Sequence, residues 1–332
     1  MSEQEKVQPE ERAPRGLYER LKSEDDHWEM WAKIGVAMLV LQTVAFAVAY
    51  MRLGNISLYT HAVMIPMLGV LTLPISFWGL LRALFRPPIF RRSRTVGFVA
   101  LVIVGLVGNQ PMVTAPVSTG DWTADQEYKL PFDGEWVTLA GGEKRKTNYH
   151  ATTSAHRWGY DFAPVIDGSR YTSDGKALED HHCYGTPVRT PVGGTVIQAM
   201  GGEPDFQPGE FDPNNILGNH LVIRVGKGEY LFMANLKQRS LTVASGDEVE
   251  AGQKVAECGN SGRTTTPHLH IHLQNTRAFP ISEGLPLRFS NYLADGESVE
   301  LGMPVGSPDF EEVNGQIVEN QQPWPELSVE DD

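Results

Sequence analysis

The sequence predicts a mainly β protein: a compact antiparallel β-sheet domain preceded by three transmembrane α-helices. Long apolar runs are confined to the first third of the 332-residue chain, and the remainder alternates short apolar stretches with Gly, Pro, Asp and Asn. Short apolar stretches bounded by turn residues are typical of β-strands. An uncharged apolar run of about 20 residues is long enough to cross a bilayer as a helix.

Three apolar runs predict the helices within residues 31–113. They are Ile34–Met51, Ala62–Leu81 and Thr95–Val107. The second run contains prolines, which a membrane helix tolerates better than a soluble one. Residues 1–30 are polar and mixed in charge, and we expect them to lie in the cytoplasm.

The loop between the second and third runs sets the expected orientation. It contains no acidic residue and carries five arginines, Arg82, Arg86, Arg91, Arg92 and Arg94. Positively charged loops stay on the cytoplasmic side. With three spans, the chain after about Ala115 is then extracytoplasmic, and the protein is a multi-pass protein of the cell membrane whose partner is the lipid bilayer.

The remainder of the chain shows strand and turn patterns. Val188–Ala199 predicts strand segments broken by a Gly-Gly turn, and Leu221–Val225 with Tyr230–Ala234 flanks a Gly-Lys-Gly hairpin turn. Val249–Cys258 predicts a further strand pair. We place the β-domain at residues 115–308, followed by a tail.

Composition limits the function classes. The tail, residues 309–332, is acidic and contains proline, which predicts disorder. The net charge of the chain is -13, which argues against nucleic acid as a partner because phosphate binding needs a clustered basic surface. The two cysteines, Cys183 and Cys258, form either one disulfide or two buried thiols, and the sequence leaves both open.

The segment Pro267–Leu273 is the most informative in the chain. Alternate side chains of a strand share a face, so His268, His270 and His272 line one face and the leucines and isoleucine the other. A His-x-His pair can place one ring on a metal and the other on a substrate. A carboxylate and further histidines lie upstream, in 148–161, and three such ligands with one open position make a catalytic zinc site.

Several other motifs accompany these residues in a fixed order. They are Asn148-Tyr149-His150, Trp158-Gly159-Tyr160-Asp161-Phe162, Gly185-Thr186-Pro187-Val188, Gly218-Asn219-His220, Gly246-Asp247-Glu248-Val249, Gly259-Asn260-Ser261-Gly262 and Pro267-His268-Leu269-His270. With these motifs, residues 130–292 resemble the lysostaphin-type (LytM-like) zinc metallopeptidases, many of which cut peptidoglycan cross-links.

The resemblance implies a zinc ion held by two histidines and one aspartate. The matching aspartate is Asp161 and the second histidine is His270. The usual first histidine lies four residues before the aspartate, where this chain has Arg157. A branch of the family has an upstream Asn-x-His element, so we favour His150, with His156 as the alternative.

The resemblance also implies the roles of two other residues. His268 matches the general base, while Asn235 stands where the family usually has an auxiliary histidine that helps to stabilise the oxyanion. An amide can donate a hydrogen bond but cannot supply positive charge. We therefore expect a membrane-anchored zinc endopeptidase acting on peptidoglycan peptides. The alternative is a non-catalytic, zinc-containing module that binds cell wall or activates another wall hydrolase.

Overall fold

The chain folds into a helical unit and a β unit. The computed structural model describes residues 28–86, 91–109, 118–124, 126–309 and 313–325. The helical unit comprises the described residues of Met1–Met51 and Tyr59–Val113, and the β unit those of Arg52–Leu58 and Thr114–Asp332. Nearly all of the predicted cytoplasmic segment 1–30 lies outside the described residues.

The three apolar runs all form helices. Two helical stretches in the described chain are long and apolar enough to cross a membrane, Met30–Tyr50 with a mean hydropathy of 1.9 and Asn55–Phe85 with 1.8. The third run lies in a helix of 17 residues that has Arg92 and Arg94 in its first turn. The described chain thus has two helices of spanning length, where the sequence predicted three. The helices are α1 (Met30–Tyr50), α2 (Asn55–Tyr59), a π-helical turn (Thr60–Met64), α3 (Ile65–Phe85) and α4 (Arg92–Gly108).

Glycines bring these helices close together. A Cβ atom on Gly97 of α4 would lie 2.6 Å from the Cβ atom of Ala32 in α1, and one on Gly108 would lie 2.7 Å from Cα of Gly69 in α3. Small residues at these positions let the backbones of neighbouring helices approach closely.

The β unit is built on one antiparallel sheet of eleven strands. Its order is β12-β11-β13-β1-β2-β9-β6-β5-β4-β7, with β10 paired to β9, and β3 and β8 form a separate two-stranded sheet. The strands are β1 (Trp136–Ala140), β2 (Tyr160–Pro164), β3 (Pro187–Arg189), β4 (Gly194–Met200), β5 (Asn219–Gly226), β6 (Glu229–Leu236), β7 (Glu248–Val249), β8 (Lys254–Glu257), β9 (Leu269–Gln274), β10 (Gly284–Leu285), β11 (Phe289–Ala294), β12 (Glu297–Gly302) and β13 (Ile317–Asn320).

The mainly β, antiparallel prediction is confirmed, and so is the hairpin of β5 and β6. The predicted strand pair in Val249–Cys258 is wrong, because β7 pairs with β4 and β8 pairs with β3. The predicted tail also begins too early. β13 lies within residues 309–332 and pairs with both β1 and β11; residues 326–332 lie outside the described chain.

The central strands separate a core from a polar face. Leu269, Ile271 and Leu273 of β9 belong to the main hydrophobic core, together with Tyr160 and Phe162 of β2. Side chains alternate along a strand, so the remaining residues of β2 and β9 point to the opposite face. That face carries the polar side chains considered next.

A disulfide joins Cys183 to Cys258, which decides between the two states that the sequence left open. Both cysteines are buried in the core. Backbone hydrogen bonds reinforce the link, since Gly185 donates to the carbonyl of Cys258 over 2.9 Å and Cys258 donates to that of Thr186 over 2.8 Å.

Candidate metal centre

Neighbouring strands place Asp161 and His270 side by side. They are directly paired residues of β2 and β9, and the apolar residues on either side of each pack into the core and fix which way both side chains point. Nδ1 of His270 lies 2.8 Å from Oδ1 of Asp161. His270 is only 5% exposed and Asp161 only 2%.

His150 reaches the same carboxylate from a short 3-10 helix, Tyr149–Thr152. Asn148 caps this helix, accepting a hydrogen bond from the backbone N–H of His150 over 3.1 Å. The Asn148 amide donates in turn to the carbonyls of Gly142 and Gly159, over 2.8 and 3.2 Å. This anchoring holds Nε2 of His150 at 3.0 Å from Oδ2 of Asp161.

Two sets of side chains can hold a metal ion among the described residues. In the first set, the ligand atoms of His150, Asp161 and His270 all lie within 4.8 Å of one another, and all three residues are buried. The second set, His156, His270 and His272, meets the same distance. Nδ1 of His156 is buried and has no hydrogen-bond partner within the part of the chain that the structure describes. The structure thus brings both candidate first histidines to His270, but only His150 joins a set that includes the carboxylate.

His268 lies immediately before β9 and beside the first set. Its Nε2 is 3.6 Å from Oδ1 of Asp161, and its Nδ1 is 2.8 Å from the carbonyl of Thr266. A carbonyl oxygen can only accept, so Nδ1 carries the hydrogen of the neutral ring. The Nε2 of that neutral ring then keeps a lone pair on the side of Asp161.

Tyr149 is a site residue that the sequence interpretation quoted only as part of a motif. Its hydroxyl donates to Oδ2 of Asp161, so the carboxylate has partners on both oxygens. Burial and the neighbouring Asp161 carboxylate raise the pKa of Tyr149 well above its ordinary value, and the hydroxyl therefore stays protonated. The feature of the sequence that could have identified Tyr149 as a site residue is its position next to the candidate ligand His150.

Asn235 lies at the end of β6, in a left-handed conformation with φ of 59°. Its Nδ2 donates to the carbonyl of Ser261 over 3.0 Å, and the residue is 5% exposed. One of the two amide N–H groups is therefore used to hold the Gly259–Gly262 loop. The other is the donor that remains for a ligand.

A cavity of about 280 Å³ opens over these groups. It is lined by Tyr149, His150, His156, Asp161, Ile216, Leu217, Asn235, Arg263, His268 and His270. A neighbouring cavity of about 320 Å³ shares Tyr149, Asp161, Arg263 and His268 and adds a run of threonines, Thr264–Thr266. All five site residues expected from the sequence line the first cavity.

Burial shifts the pKa values of several side chains in and beside this cavity. It lowers the pKa of His150 against the opposing effect of Asp161, and it lowers the pKa of His156 and of His272 well below the ordinary value. Burial alone raises the pKa of Asp161, but His150 and His268 outweigh it and hold that pKa well below its usual range.

Comparison with known proteins identifies the class of this domain. Residues 176–280 match peptidase family M23. The chain thus contains a domain of that family, to which LytM and lysostaphin belong, as its motifs predicted. The matched residues include Asn235, His268 and His270 and begin after His150 and Asp161. The Asn-x-His branch stays a prediction.

Two curated proteins are similar to this chain. The peptidoglycan DD-endopeptidase ShyA of Vibrio cholerae is 26% identical over 154 residues, which are 46% of this chain and 28% of that protein. An uncharacterized metalloprotease of Haemophilus influenzae is 33% identical over 113 residues, 33% of this chain and 21% of that protein. The chain matches less than a third of the length of either relative.

Solved structures are also similar. A zinc-containing peptidase from Vibrio cholerae shares 26% sequence identity, with a TM-score of 0.30 over 45% of this chain and 36% of that chain. Lysostaphin from Staphylococcus simulans shares 18% identity, with a TM-score of 0.28 over 48% of this chain and 52% of that chain.

Proposed function

We propose that this chain is a membrane-anchored zinc endopeptidase that hydrolyses peptide cross-links of peptidoglycan. The observation that carries the proposal is the convergence of His150, Asp161 and His270 next to His268 on one face of the sheet. The family match supports peptidase chemistry. The similarity to a protein named as a peptidoglycan DD-endopeptidase supports the substrate class.

The first set of side chains fits zinc. Two imidazole nitrogens and one carboxylate are a common set of protein ligands for catalytic zinc, with the fourth position open. His150, Asp161 and His270 would hold the ion, and the Tyr149 hydroxyl donates a hydrogen bond to Oδ2 of Asp161. Bound zinc supplies an activated water at neutral pH and polarises the scissile carbonyl.

His268 is the residue placed to move a proton. Its Nδ1–H is held by the carbonyl of Thr266, so Nε2 is the atom that accepts a proton on the side of the cavity. A neutral imidazole is suited to this near pH 7. Asn235 keeps one N–H available for the developing oxyanion, and such a donor contributes without adding charge.

The apolar helices anchor this domain in the proposal. The two stretches of spanning length and the arginine-rich segment after α3 support a membrane protein whose β unit faces away from the cytoplasm. We expect the full chain to stay in the membrane fraction after alkaline carbonate washing. A tag at the C-terminus should be digested by protease added to cells with a permeabilised wall or outer membrane, and protection of that tag in intact spheroplasts would contradict the orientation.

The direct test uses the full chain, purified in detergent, loaded with zinc and incubated with peptidoglycan. We expect peptide products from the wild type, none from Asp161→Asn, and a strong loss for His268→Gln with zinc still bound. His220→Gln is the matched control, because His220 is a buried histidine outside the cavity. A wild-type chain with one zinc ion and no cleavage products would refute catalysis on this substrate.

A second experiment identifies the first ligand. We expect His150→Ala to lose zinc and His156→Ala to retain it, because of these two histidines His150 is the one that contacts the Asp161 carboxylate. Zinc is counted per chain by elemental analysis after dialysis. Full zinc occupancy in His150→Ala would show that this choice is wrong.

The rival function is a zinc-containing, non-catalytic module that binds wall peptide or activates another hydrolase. Asn235 favours it, because this amide is partly committed to Ser261 and replaces the family's usual histidine. Asn235→His distinguishes the two functions. Activity that appears only in the variant would support the non-catalytic module, whereas activity in the wild type supports the enzyme.

A further inference from the structure

Two polar side chains of β9 take no part in the proposed chemistry. His272 and Gln274 are both fully buried at 0% exposure, and they follow His270 at alternate positions, on the same face of the sheet. Nε2 of His270 lies 2.8 Å from Nδ1 of His272, and Nε2 of His272 lies 3.1 Å from Oε1 of Gln274. The Gln274 amide donates to the carbonyl of Thr276 over 2.6 Å. These bonds form one continuous row, from Thr276 to His270.

The carbonyl of Thr276 fixes the direction of every bond in this row. Because that carbonyl only accepts, the amide nitrogen of Gln274 faces it, and the amide oxygen therefore faces His272. That oxygen also only accepts, so Nε2 of His272 carries a hydrogen. Nδ1 of the neutral His272 ring is then an acceptor, and it takes a hydrogen bond from Nε2–H of His270.

We propose that His272 and Gln274 are positioning residues that hold His270 as its Nε2–H tautomer and so present its Nδ1 lone pair to the metal. The inference rests on the zinc site of the proposed function. In this tautomer, Nδ1 of His270 and Oδ1 of Asp161 are two acceptors 2.8 Å apart. Two facing lone pairs repel each other unless a cation binds both, which makes this position the favourable one for a metal ion.

The same row decides between the two overlapping metal sets. The set of His156, His270 and His272 would need a lone pair on Nε2 of His270, since Nδ1 faces Asp161. In the proposed tautomer that atom carries a hydrogen and donates it to His272. The row therefore directs the metal to His150, Asp161 and His270, and it leaves His156 without a metal.

The packing of His272 offers a matched pair of variants. Its ring stacks on Phe232, with centroids 4.7 Å apart and planes 14° apart. His272→Phe keeps an aromatic ring there but removes the acceptor. His272→Asn gives up the ring but keeps an acceptor close to the position of Nδ1. A merely structural role predicts that Asn is the worse substitution, whereas the proposed role predicts that Phe is.

The first measurement is the zinc dissociation constant of the full chain in detergent, obtained by competition with a chelator. We expect His272→Phe to raise it by about 10- to 100-fold, the usual cost of losing a group that orients a ligand. His272→Asn should recover most of that loss. Equal zinc binding in wild type and His272→Phe would overturn the proposal, and so would an Asn variant as weak as the Phe variant.

The second measurement reads the tautomer directly, in the zinc-loaded full chain with 15N-labelled histidine. His270 should show a metal-bound Nδ1 and a protonated Nε2 in the wild type. A metal-bound Nε2, together with zinc retained in Asp161→Asn, would place the ion in the His156 set and overturn the proposal. If His272→Phe does not fold, Gln274→Met serves instead, because it removes the acceptor that fixes His272, and it should also raise the zinc dissociation constant.

Neither measurement uses peptidoglycan, so their outcomes are separate from those of the cleavage test. A wild-type chain that binds zinc through Nδ1 of His270 and leaves peptidoglycan intact would contradict the proposed activity and support the positioning role. A wild-type chain that cleaves peptidoglycan, but whose zinc affinity is unchanged by substitution of His272 and Gln274, would support the proposed activity and contradict the positioning role. A wild-type chain that binds no zinc would overturn both.

Discussion

Loss of the disulfide should destabilise the β unit strongly. Cys183 and Cys258 are 75 residues apart in the sequence. In the chain-entropy description, closing a loop of this length removes about 15 cal/mol/K of entropy from the unfolded chain, which amounts to about 4.5 kcal/mol at 25 °C. Removal of a native disulfide from a folded domain typically costs about 2–5 kcal/mol. We therefore expect reduction to lower the free energy of unfolding by an amount in this range.

The assay is pulse proteolysis of the full chain in urea, with and without a phosphine reductant at equilibrium. A fragment of the β unit is quantified, so that the helical unit does not contribute to the signal. A change of about 4 kcal/mol corresponds to a fall of roughly 2 M in the urea midpoint, for a typical slope of about 2 kcal/mol/M. The double variant Cys183→Ala/Cys258→Ala is the control, and its midpoint should be low and insensitive to reductant.

Loss of the disulfide should loosen the loop beside the candidate site before the whole β unit unfolds. Cys258 is followed by Gly259, whose N–H donates to the carbonyl of Asn235 over 3.1 Å, and the amide of Asn235 donates to Ser261. Reduction thus loosens the loop that holds one wall of the cavity. A reduced wild-type chain with an unchanged urea midpoint would refute the reasoning.

Three further predictions concern single residues. Gly218→Ala should cost at least about 2 kcal/mol of stability. The reason is that Gly218 has φ of 56°, and the added Cβ atom would lie 2.3 Å from the Ser261 carbonyl oxygen. Gly202→Ala is the control and should be near neutral in the same urea titration, because the added Cβ atom would meet open space. Tyr149→Phe removes the hydroxyl donor of Asp161 and should raise the zinc dissociation constant by about tenfold in chelator competition. Burial lowers the pKa of His220, so below about pH 6.5 the unfolded chain binds a proton that the folded chain does not. The free energy of unfolding should therefore fall by at most about 1.4 kcal/mol per pH unit as the pH drops from about 6.5 towards the folded pKa. His220→Gln should make this fall shallower.

Local patterns in the sequence predicted those elements that are defined by local contacts. The alternation of His268–Gln274 predicted β9 and its two faces, because a strand has a period of two wherever one side is buried. The Gly226–Gly228 turn predicted the β5–β6 hairpin for the same reason, since the two strands are neighbours in the chain. Both results needed no knowledge of distant residues.

Pairing between distant strands was not predictable in this way. The segment Val249–Cys258 suggested a strand pair, but its two strands find their partners 50 or more residues upstream, in β4 and β3. β13 was missed because four residues in an acidic, proline-containing stretch give no period to detect. Its pairing is reinforced by Asn320, whose amide donates to the carbonyls of Leu130 and Phe132.

Prediction of the candidate site from the sequence was limited in the same way. Asp161 and His270 are 109 residues apart, so no spacing rule joins them, and only the resemblance to a known family could. His150 and His156 both stand within an irregular segment where the sequence gives no direction for either ring. The capping of the 3-10 helix by Asn148 settles the position of the His150 ring, and that contact is visible only in three dimensions.

The fold and the candidate chemistry are bound together through the register of β9. A slip of one residue would exchange the two faces of this strand, bringing His270 and His272 into the apolar core and Leu269, Ile271 and Leu273 into the polar cavity. Buried polar groups without hydrogen bonds are costly, so the apolar side chains that build the core also exclude this arrangement. Because Asp161 pairs with His270 and Ala234 pairs with it from the other side, that single register fixes the positions of the proposed ligand, the row of hydrogen bonds behind it, and the strand that carries Asn235.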